Sequence, residues 1–563
     1  MTRWLEYLVF LAILVALAKP VGLYVARVFE RQPTFLDRLF CPVESLLYRL
    51  IGVHPDREMT PVSYLAALLV FSALGTLFLF LLLMIQSVLP GGPDRQYLTT
   101  PMTMDLAFNT ALSFATTTTW QAYGGESTLR YLVQTIGLVS QNFLAGAAGL
   151  AVGMAFIRGF AREKSATLGN FWVDLIRGLL WVLLPVSLAG SLILVWQGVP
   201  LNLDPYVKAR TLEGGMQTIA QGPVAALEFI KNLGTNGGGF FNANGAHPYA
   251  NPTPLTNFLG MLAIAVIPAA LPITFGHMVR RPNSGVVLLA VMIVLFLGGL
   301  ALCDHAESLN PPRLAGLGLV GGNAEGKEVR FGVGSSVLTA IVTSNCATGS
   351  YNSMHDSYQP VSVMVLVMNM LLGEVTFGGL GTGLFSLVIV ALVGVFVSGL
   401  MIGRTPDYLG KTITPGENGL IALYIVLTPL VVLPMTALAS VSSAGLAGLT
   451  VNSGAHGLTE ILFAYASCMA NNGQNMASLD ANNVFYNLST AAAMFIGRFG
   501  HMAVALLLAG RFAAQRRRAT TMGTLPSDTV VFGALVLSTV VLIGALSFLV
   551  VLALGPIAEY LRP

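Results

Sequence analysis

Residues 232–254 read NLGTNGGGFFNANGAHPYANPTP, a run of Gly, Asn and Thr set between two apolar stretches of membrane-spanning length. A soluble enzyme uses such backbone to cradle a phosphate, whereas a transporter uses it as a bare surface that touches an ion. The surroundings decide. Of 563 residues, 55% are hydrophobic and only 10% charged, against about 25% charged in soluble domains. The chain therefore reads as a polytopic membrane protein. A net charge of +3 gives no sign of nucleic-acid binding. Cys41, Cys303, Cys346 and Cys468 lie far apart without metal-ligand spacing and read as free thiols. The N-terminal run LEYLVFLAILVALAKPVGLYVARVF is too long for a signal-peptide core and lacks a small-residue cleavage site, so it reads as a retained helix.

A spanning helix needs about 20 mostly apolar residues. That ruler finds ten, near 5–29, 62–89, 129–157, 175–198, 255–279, 285–303, 361–402, 419–441, 485–511 and 529–556. The seventh is about twice the needed length and contains TFGGLGTGLFS, so a break is expected near Gly378–Gly383. Broken backbone at membrane depth survives only inside protein or along a water-filled cavity.

More than half of the 29 Lys and Arg fall in five short connections: Arg27 to Arg57, Arg158 to Arg177, Arg280–Arg281, Arg404 with Lys411, and Arg511 to Arg518. The positive-inside rule puts these in the cytoplasm and both termini outside. The four longer connections then face outward, and each carries a similar unit. They read LAFNTALSFATTTTWQAYGGE, ALEFIKNLGTNGGGFFN, SSVLTAIVTSNCATGSYNSMHD and TEILFAYASCMANNGQNMA. Every one is a short apolar helical stretch followed by a Thr/Asn/Gly-rich piece. Anchored at Gln121, Gly237, Gly349 and Gly473, the spacings are 116, 112 and 124 residues. This implies a fourfold internal repeat of membrane helix, re-entrant pore helix, polar loop and membrane helix. The expected partition is 1–61, four repeats at 62–174, 175–284, 285–418 and 419–520, and a last helix in 521–563.

Backbone groups left unpaired in lipid cost several kcal/mol each. Gly- and Asn-rich loops at that depth make sense when their oxygens face something polar. Four of them around an axis offer rings of neutral oxygens for which a potassium ion exchanges its water. One such loop alone would read as a plain turn; four in register favour the ion. The nearest approach to a phosphate loop, TPDYLGKT, lacks the first glycine because Thr405 stands there, and the DKTGT signature of phosphorylated pumps is missing. No ATP site is expected in this chain.

TTWQAYGGE, NLGTNGGGFFNANGAHP, NSMHDSY, GEVTFGGLGTGL and GRTPDYLGK together resemble the potassium-binding, channel-like A subunit of the bacterial Kdp potassium-transporting ATPase. The resemblance runs essentially end to end. It implies an all-α polytopic membrane protein of the superfamily of potassium transporters, with ten transmembrane helices and four channel-like repeats. It also implies a bacterial inner-membrane complex with a P-type ATPase B subunit, a C subunit and a small single-span F subunit, with potassium as the bound ion. Carried over by motif, the filter comprises Thr118, Thr119 and Gln121; Thr235, Asn236 and Gly237; Ala347, Thr348 and Gly349; and Asn471, Asn472 and Gly473. Two loops depart from the family pattern. The first reads TTTT where Asn and Thr usually alternate, and the third reads Ala-Thr-Gly where Ser-Cys-Gly is usual, with Cys346 one place earlier.

Glu374, in the seventh run just before the expected break, and Arg498, in the ninth, are ionisable groups at membrane depth. Such groups face a cavity or each other. One reading pairs them in the pore's inner half; the other makes them a buried structural pair. Gly378, Gly379, Gly381 and Gly383 read either as a flexible constriction that turns the ion sideways or as ordinary small-residue packing. Arg404, at the end of that run, adds a cation-repelling charge. His355 with Asp356, and His247, read as loop braces. Arg516–Arg518 read as an anchor at anionic headgroups. The rivals to a pump subunit are an autonomous Trk/Ktr/HKT-type channel or symporter and, from another class, a membrane hydrolase built on His355 and Asp356.

Overall fold

Long apolar runs in lipid close their backbone hydrogen bonds as helices because no water is there to do it. The computed structural model describes residues 2–310, 318, 321–327, 329–401, 403, 405–518 and 525–561. Among these are ten helices long and apolar enough to cross a membrane: Arg3–Phe29, Pro61–Met84, Val133–Ala161, Phe171–Trp196, Pro254–Met278, Pro282–Ser308, Thr382–Met401, Pro415–Val441, Val484–Ala514 and Val530–Leu554. All four cysteines are free.

The seventh run is split into Pro360–Leu371 and Thr382–Met401. The break begins before the glycines that suggested it. Gly373, Glu374 and Phe377 already take left-handed backbone (φ 72°, 62° and 47°), which stops the first half. Gly383 consequently lies inside the second half, and Glu374 lies within the break rather than ahead of it.

Among the described residues, four of the short helices between the spans alternate with them in the same way: Met104–Ala115, Val224–Leu233, Gly332–Asn345 and Gly454–Met469. At 10 to 16 residues none is long enough to cross. Each enters the protein and hands over to a buried loop. The third span lies at the centre, with 89% of its most apolar stretch buried against 22% for the second. Its glycines let loops approach: a Cβ at Gly146 would meet Gly234, and one at Gly153 would lie 2.7 Å from the Gly381 Cα.

The face away from the loops is tied by charge. Arg158 grips Asp174 with both terminal nitrogens (2.6 and 2.8 Å), and the Tyr64 hydroxyl donates to the same carboxylate at 3.0 Å. Lys411, the lysine of the phosphate-loop-like stretch, sits on the two-stranded hairpin Asp407–Tyr408/Lys411–Thr412. Its ammonium is committed to the carbonyls of Arg162 and Gln515 at 2.6 and 2.9 Å. A hairpin with an occupied lysine is not a phosphate cradle. An additional helix, Asp37–Ile51, was not legible with a 20-residue ruler; it packs Phe40 on Trp181 and Glu44 on Arg177, leaving Leu39, Val43, Leu46 and Leu50 exposed.

On the loop face, His456 lies 2.8 Å from Asp356 and 2.8 Å from Glu559. It ties the fourth short helix to the third loop and to the C-terminal helix Pro556–Leu561. Burial opposes its charge, yet hydrogen bonds to the two carboxylates prevail and raise its pKa to about 10. A raised folded-state value stabilises fully below the unfolded value near 6.5 and fades as pH climbs towards about 10. The melting temperature of His456→Gln should therefore fall furthest below the parent at pH 6, and the gap should close by pH 10; differential scanning in detergent reads it.

Candidate ion-binding site

The four short helices end alike. Thr116, Gly234, Cys346 and Ala470 still bond back four residues, to Leu112, Ile230, Val342 and Ala466. The next residue turns left-handed in every case: Thr117 (φ 63°), Thr235 (50°), Ala347 (52°) and Asn471 (53°). None is glycine, and each such residue costs about 1–3 kcal/mol, held in place by its surroundings. Thr118, Asn236, Thr348 and Asn472 follow, and then Thr119, Gly237, Gly349 and Gly473. Three of this last set, Thr119, Gly237 and Gly473, are again left-handed (49°, 112° and 76°). Counted from the helix ends, Thr119 stands opposite Gly237. The anchor at Gln121 is thus two residues beyond the register, and Thr117 is the loop residue the sequence reading passed over.

The twelve positions from Thr117–Thr119, Thr235–Gly237, Ala347–Gly349 and Asn471–Gly473 are all buried, and the four loops close on one another in order. The first meets the second where the Gly238 N–H donates to Thr119 Oγ1 at 2.5 Å. The second meets the third where the Gly349 N–H donates to the Asn236 carbonyl at 3.2 Å. Asn472 Nδ2 reaches the Thr343 carbonyl at 3.0 Å from fourth to third, and Asn471 Nδ2 reaches Thr118 Oγ1 at 2.9 Å from fourth to first. Glycine sits at each seam. A Cβ on Gly237 would collide with the Gly349 backbone, and one on Gly473 with the Thr118 carbonyl. One on Gly349 would lie 2.8 Å from the Gly473 carbonyl carbon, and one on Gly238 2.7 Å from Thr119.

Several side chains at the ring are spent on neighbouring protein groups, backbone carbonyls among them. Thr348 Oγ1 donates to the Cys346 carbonyl at 2.9 Å, and Thr343 Oγ1 donates to the Thr348 carbonyl. The short helices end at the ring, so the partial negative charge of their C-termini is delivered there. Above it opens a polar vestibule of about 730 Å³ lined by Gln121, Glu126, Asn242, Tyr351, Asn475 and Asp480, among others. Gln121 belongs to this mouth.

Below, the break in the seventh span touches the ring directly. The Leu380 N–H donates to Thr235 Oγ1 at 3.2 Å, and a Cβ on Gly379 would lie 3.1 Å from Ala347 Cβ. Gly378 and Gly383 pack face to face to fold the break, and Gly381 (φ 92°) lies against Gly149 and Gly153. Glu374 accepts the Gly379 N–H at 3.3 Å, and its other oxygen has no hydrogen-bond partner. Arg498, in the π-helical turn Ile496–Gly500, donates to the Ala145 carbonyl at 3.0 Å. Among the described residues no ion pair joins Glu374 to Arg498, because each is turned to backbone of a different element. Arg404 lies outside the described residues. Beside the break is a cavity of about 200 Å³ lined by Gly299, Met368, Asn369, Leu372, Val375 and Thr376, among others.

The histidines do not form a centre. His355 is buried against Gln474 (3.1 Å), Asp356 serves His456, and His247 stacks on Phe241 at 3.6 Å. Among the described residues no His/Cys/Asp/Glu cluster is arranged to hold a metal ion. The sequence reading also missed Glu228 and Lys231, an i,i+3 pair that reads as a solvated helix face. Here they are buried 2.8 Å apart, with Lys231 2.6 Å from Asn244.

Comparison with known proteins adds to this geometry. A family model for the Potassium-transporting ATPase A subunit (KdpA) matches residues 8–561. The chain belongs to this family. The "Potassium-transporting ATPase potassium-binding subunit" of Methylobacterium nodulans is 49% identical over 558 residues, covering 99% of this chain and 97% of the relative. The Bradyrhizobium diazoefficiens protein of the same name is 47% identical over 561 residues, covering 100% and 98%. The crystal structure of the potassium transporter TrkH from Vibrio parahaemolyticus aligns with TM-score 0.53 at 13% identity, over 88% of this chain and 98% of TrkH. That likeness is one of fold.

The seams yield a stability contrast among KdpA glycines. Gly473→Ala forces a Cβ into the first loop and should cost about 1–3 kcal/mol or more, whereas Gly298→Ala, in open space on the sixth span, should be neutral or stabilising. Thermal unfolding in detergent measures both; equal midpoints would mean the seams are looser than described.

Proposed function

We propose that this KdpA chain selects potassium in the ring of four loops and passes it to an ATP-hydrolysing partner. The observation that carries the reading is the closed ring: neutral oxygens, glycine seams and four helix C-termini converging at membrane depth. Its residues are Thr117, Thr118 and Thr119, with Thr235–Gly237, Ala347–Gly349 and Asn471–Gly473; Gln121 acts at the mouth. Neutral oxygens suit a large monovalent ion, since an acidic ring would favour divalent ones.

Potassium enters from outside through the vestibule, where Glu126 and Asp480 supply attracting charge. It sheds water in the ring and then meets Gly379 and Leu380, which close the straight path. Arg498 below repels a cation. The cavity beside Asn369 and Thr376 offers a lateral way out towards the partner. The partner is a P-type ATPase B subunit, accompanied by C and F subunits, in the inner membrane, with both termini of this chain outside. The chain itself is non-catalytic and carries the potassium ion alone. Membership of the KdpA family favours this reading over an autonomous Trk-type channel.

A tagged chain drawn from its native membrane should bring with it ATPase activity stimulated by low potassium. Gly237→Asp, which sets a carboxylate among neutral oxygens and against Gly349, should raise the half-saturating potassium concentration at least about tenfold. A clean chain without ATPase that still passes rubidium in liposomes would replace the pump subunit with an autonomous channel.

A further inference from the structure

The ring is fourfold in plan, yet one wall is built differently. Counted back from the helix ends, Lys231 corresponds to Ser113, Thr343 and Ser467, and Glu228 to Thr110, Ala340 and Ala464. Three repeats thus complete the same short helix with hydroxyls and small residues. The second places an ammonium and a carboxylate there, 2.8 Å apart, with side chains 0% and 5% exposed. A buried ion pair is poor stabilisation compared with packed neutral residues, and the other repeats show that the helix forms without one.

What the pair touches suggests its use. Lys231 Nζ lies 2.6 Å from Asn244 Oδ1, and the Gly245 N–H reaches the same oxygen at 2.9 Å. An ammonium has donors only, so it requires the amide oxygen and turns the amide NH₂ the other way. That group donates to the Gly237 carbonyl at 2.7 Å and to the Gly349 carbonyl at 3.3 Å. A single amide therefore bridges the seam between the second and third loops.

We propose that Lys231, balanced by Glu228, is a specificity-determining positioning residue that acts through Asn244 on the Gly237 and Gly349 carbonyls. The proposal rests on the ion-binding reading above. Each bridged carbonyl gives one lone pair to Asn244, which fixes the distance between the two loops and the direction of the lone pairs left for an ion. Discrimination between cations of different size depends on how many oxygens coordinate, how strongly and how freely they move. Loosening this seam should let the ring adapt to a larger ion at the expense of potassium.

The test measures potassium- and rubidium-stimulated ATPase of the assembled complex. Glu228→Ala/Lys231→Ser gives the second repeat the residues of the fourth and leaves no unpaired buried charge. Its half-saturating potassium concentration should rise about tenfold, with the rubidium-to-potassium ratio of half-saturation moving towards one and the maximal rate within about twofold of the parent. Asn244→Leu should give the same shift, and combining all three changes should add little to it. Lys231→Arg, which keeps charge and donors, should retain the parental ratio. Should the double variant not assemble, Asn244→Leu decides alone. A parental ratio in Asn244→Leu overturns the proposal while potassium still stimulates the parent; a parent indifferent to potassium overturns the ion-binding reading itself.

Discussion

Four backbone segments meet inside the bundle of spans with almost no side chain between them, and the rest of the chain is arranged around that meeting. Amide and carbonyl groups stranded in lipid would each cost several kcal/mol, so every loop must be enclosed by protein. The spans supply the enclosure, with the deeply buried third at the centre. Its glycines at 146, 149 and 153 admit Gly234 and the break around Gly381. The same constraint explains why glycine stands at the seams: where two backbones touch, a Cβ has no room. Strain that glycine does not absorb is carried by Thr117, Thr235, Ala347 and Asn471, whose left-handed turns recur at the end of each short helix.

Much of this architecture was legible in the chain. Ten apolar runs gave ten spans because a bilayer demands length and apolarity together, and the overlong seventh run had to break. The loop positions at Gly237, Gly349 and Gly473 carried a glycine that marked their register. The first loop had none: four consecutive threonines offer no landmark, and the Trp-Gln pair drew the anchor two residues too far. The seventh span breaks early because Gly373 ends its first half in left-handed backbone, a stop signal the sequence does offer, while Glu374 and Phe377 turn left-handed where no propensity announces it. Lys231 was hidden for a different reason. A basic residue in the last turn of a helix, three places after a glutamate, is an ordinary surface pattern, and only the re-entrant path of its helix buries it. The helix Asp37–Ile51 was too short and too charged for a ruler meant for spans.

The departures from strict fourfold plan are what the proposed function draws on. Among the described residues, the third repeat alone has a broken second span, so one side of the ring is floored by Gly379 and Leu380 while a side cavity opens next to it. The second alone, among the described residues, carries a buried ion pair within its short helix. A symmetric channel needs neither. A subunit that binds an ion and hands it sideways has use for both: a floor that stops the direct path, and a seam stiff enough to choose the ion first.

The measurement that tests the central claim most directly is anomalous diffraction from crystals of the assembled complex in which rubidium replaces potassium. The account predicts a peak enclosed by Thr118, Asn236, Thr348 and Asn472, lost in Gly237→Asp. A peak confined to the vestibule, with none within the four loops, would contradict it.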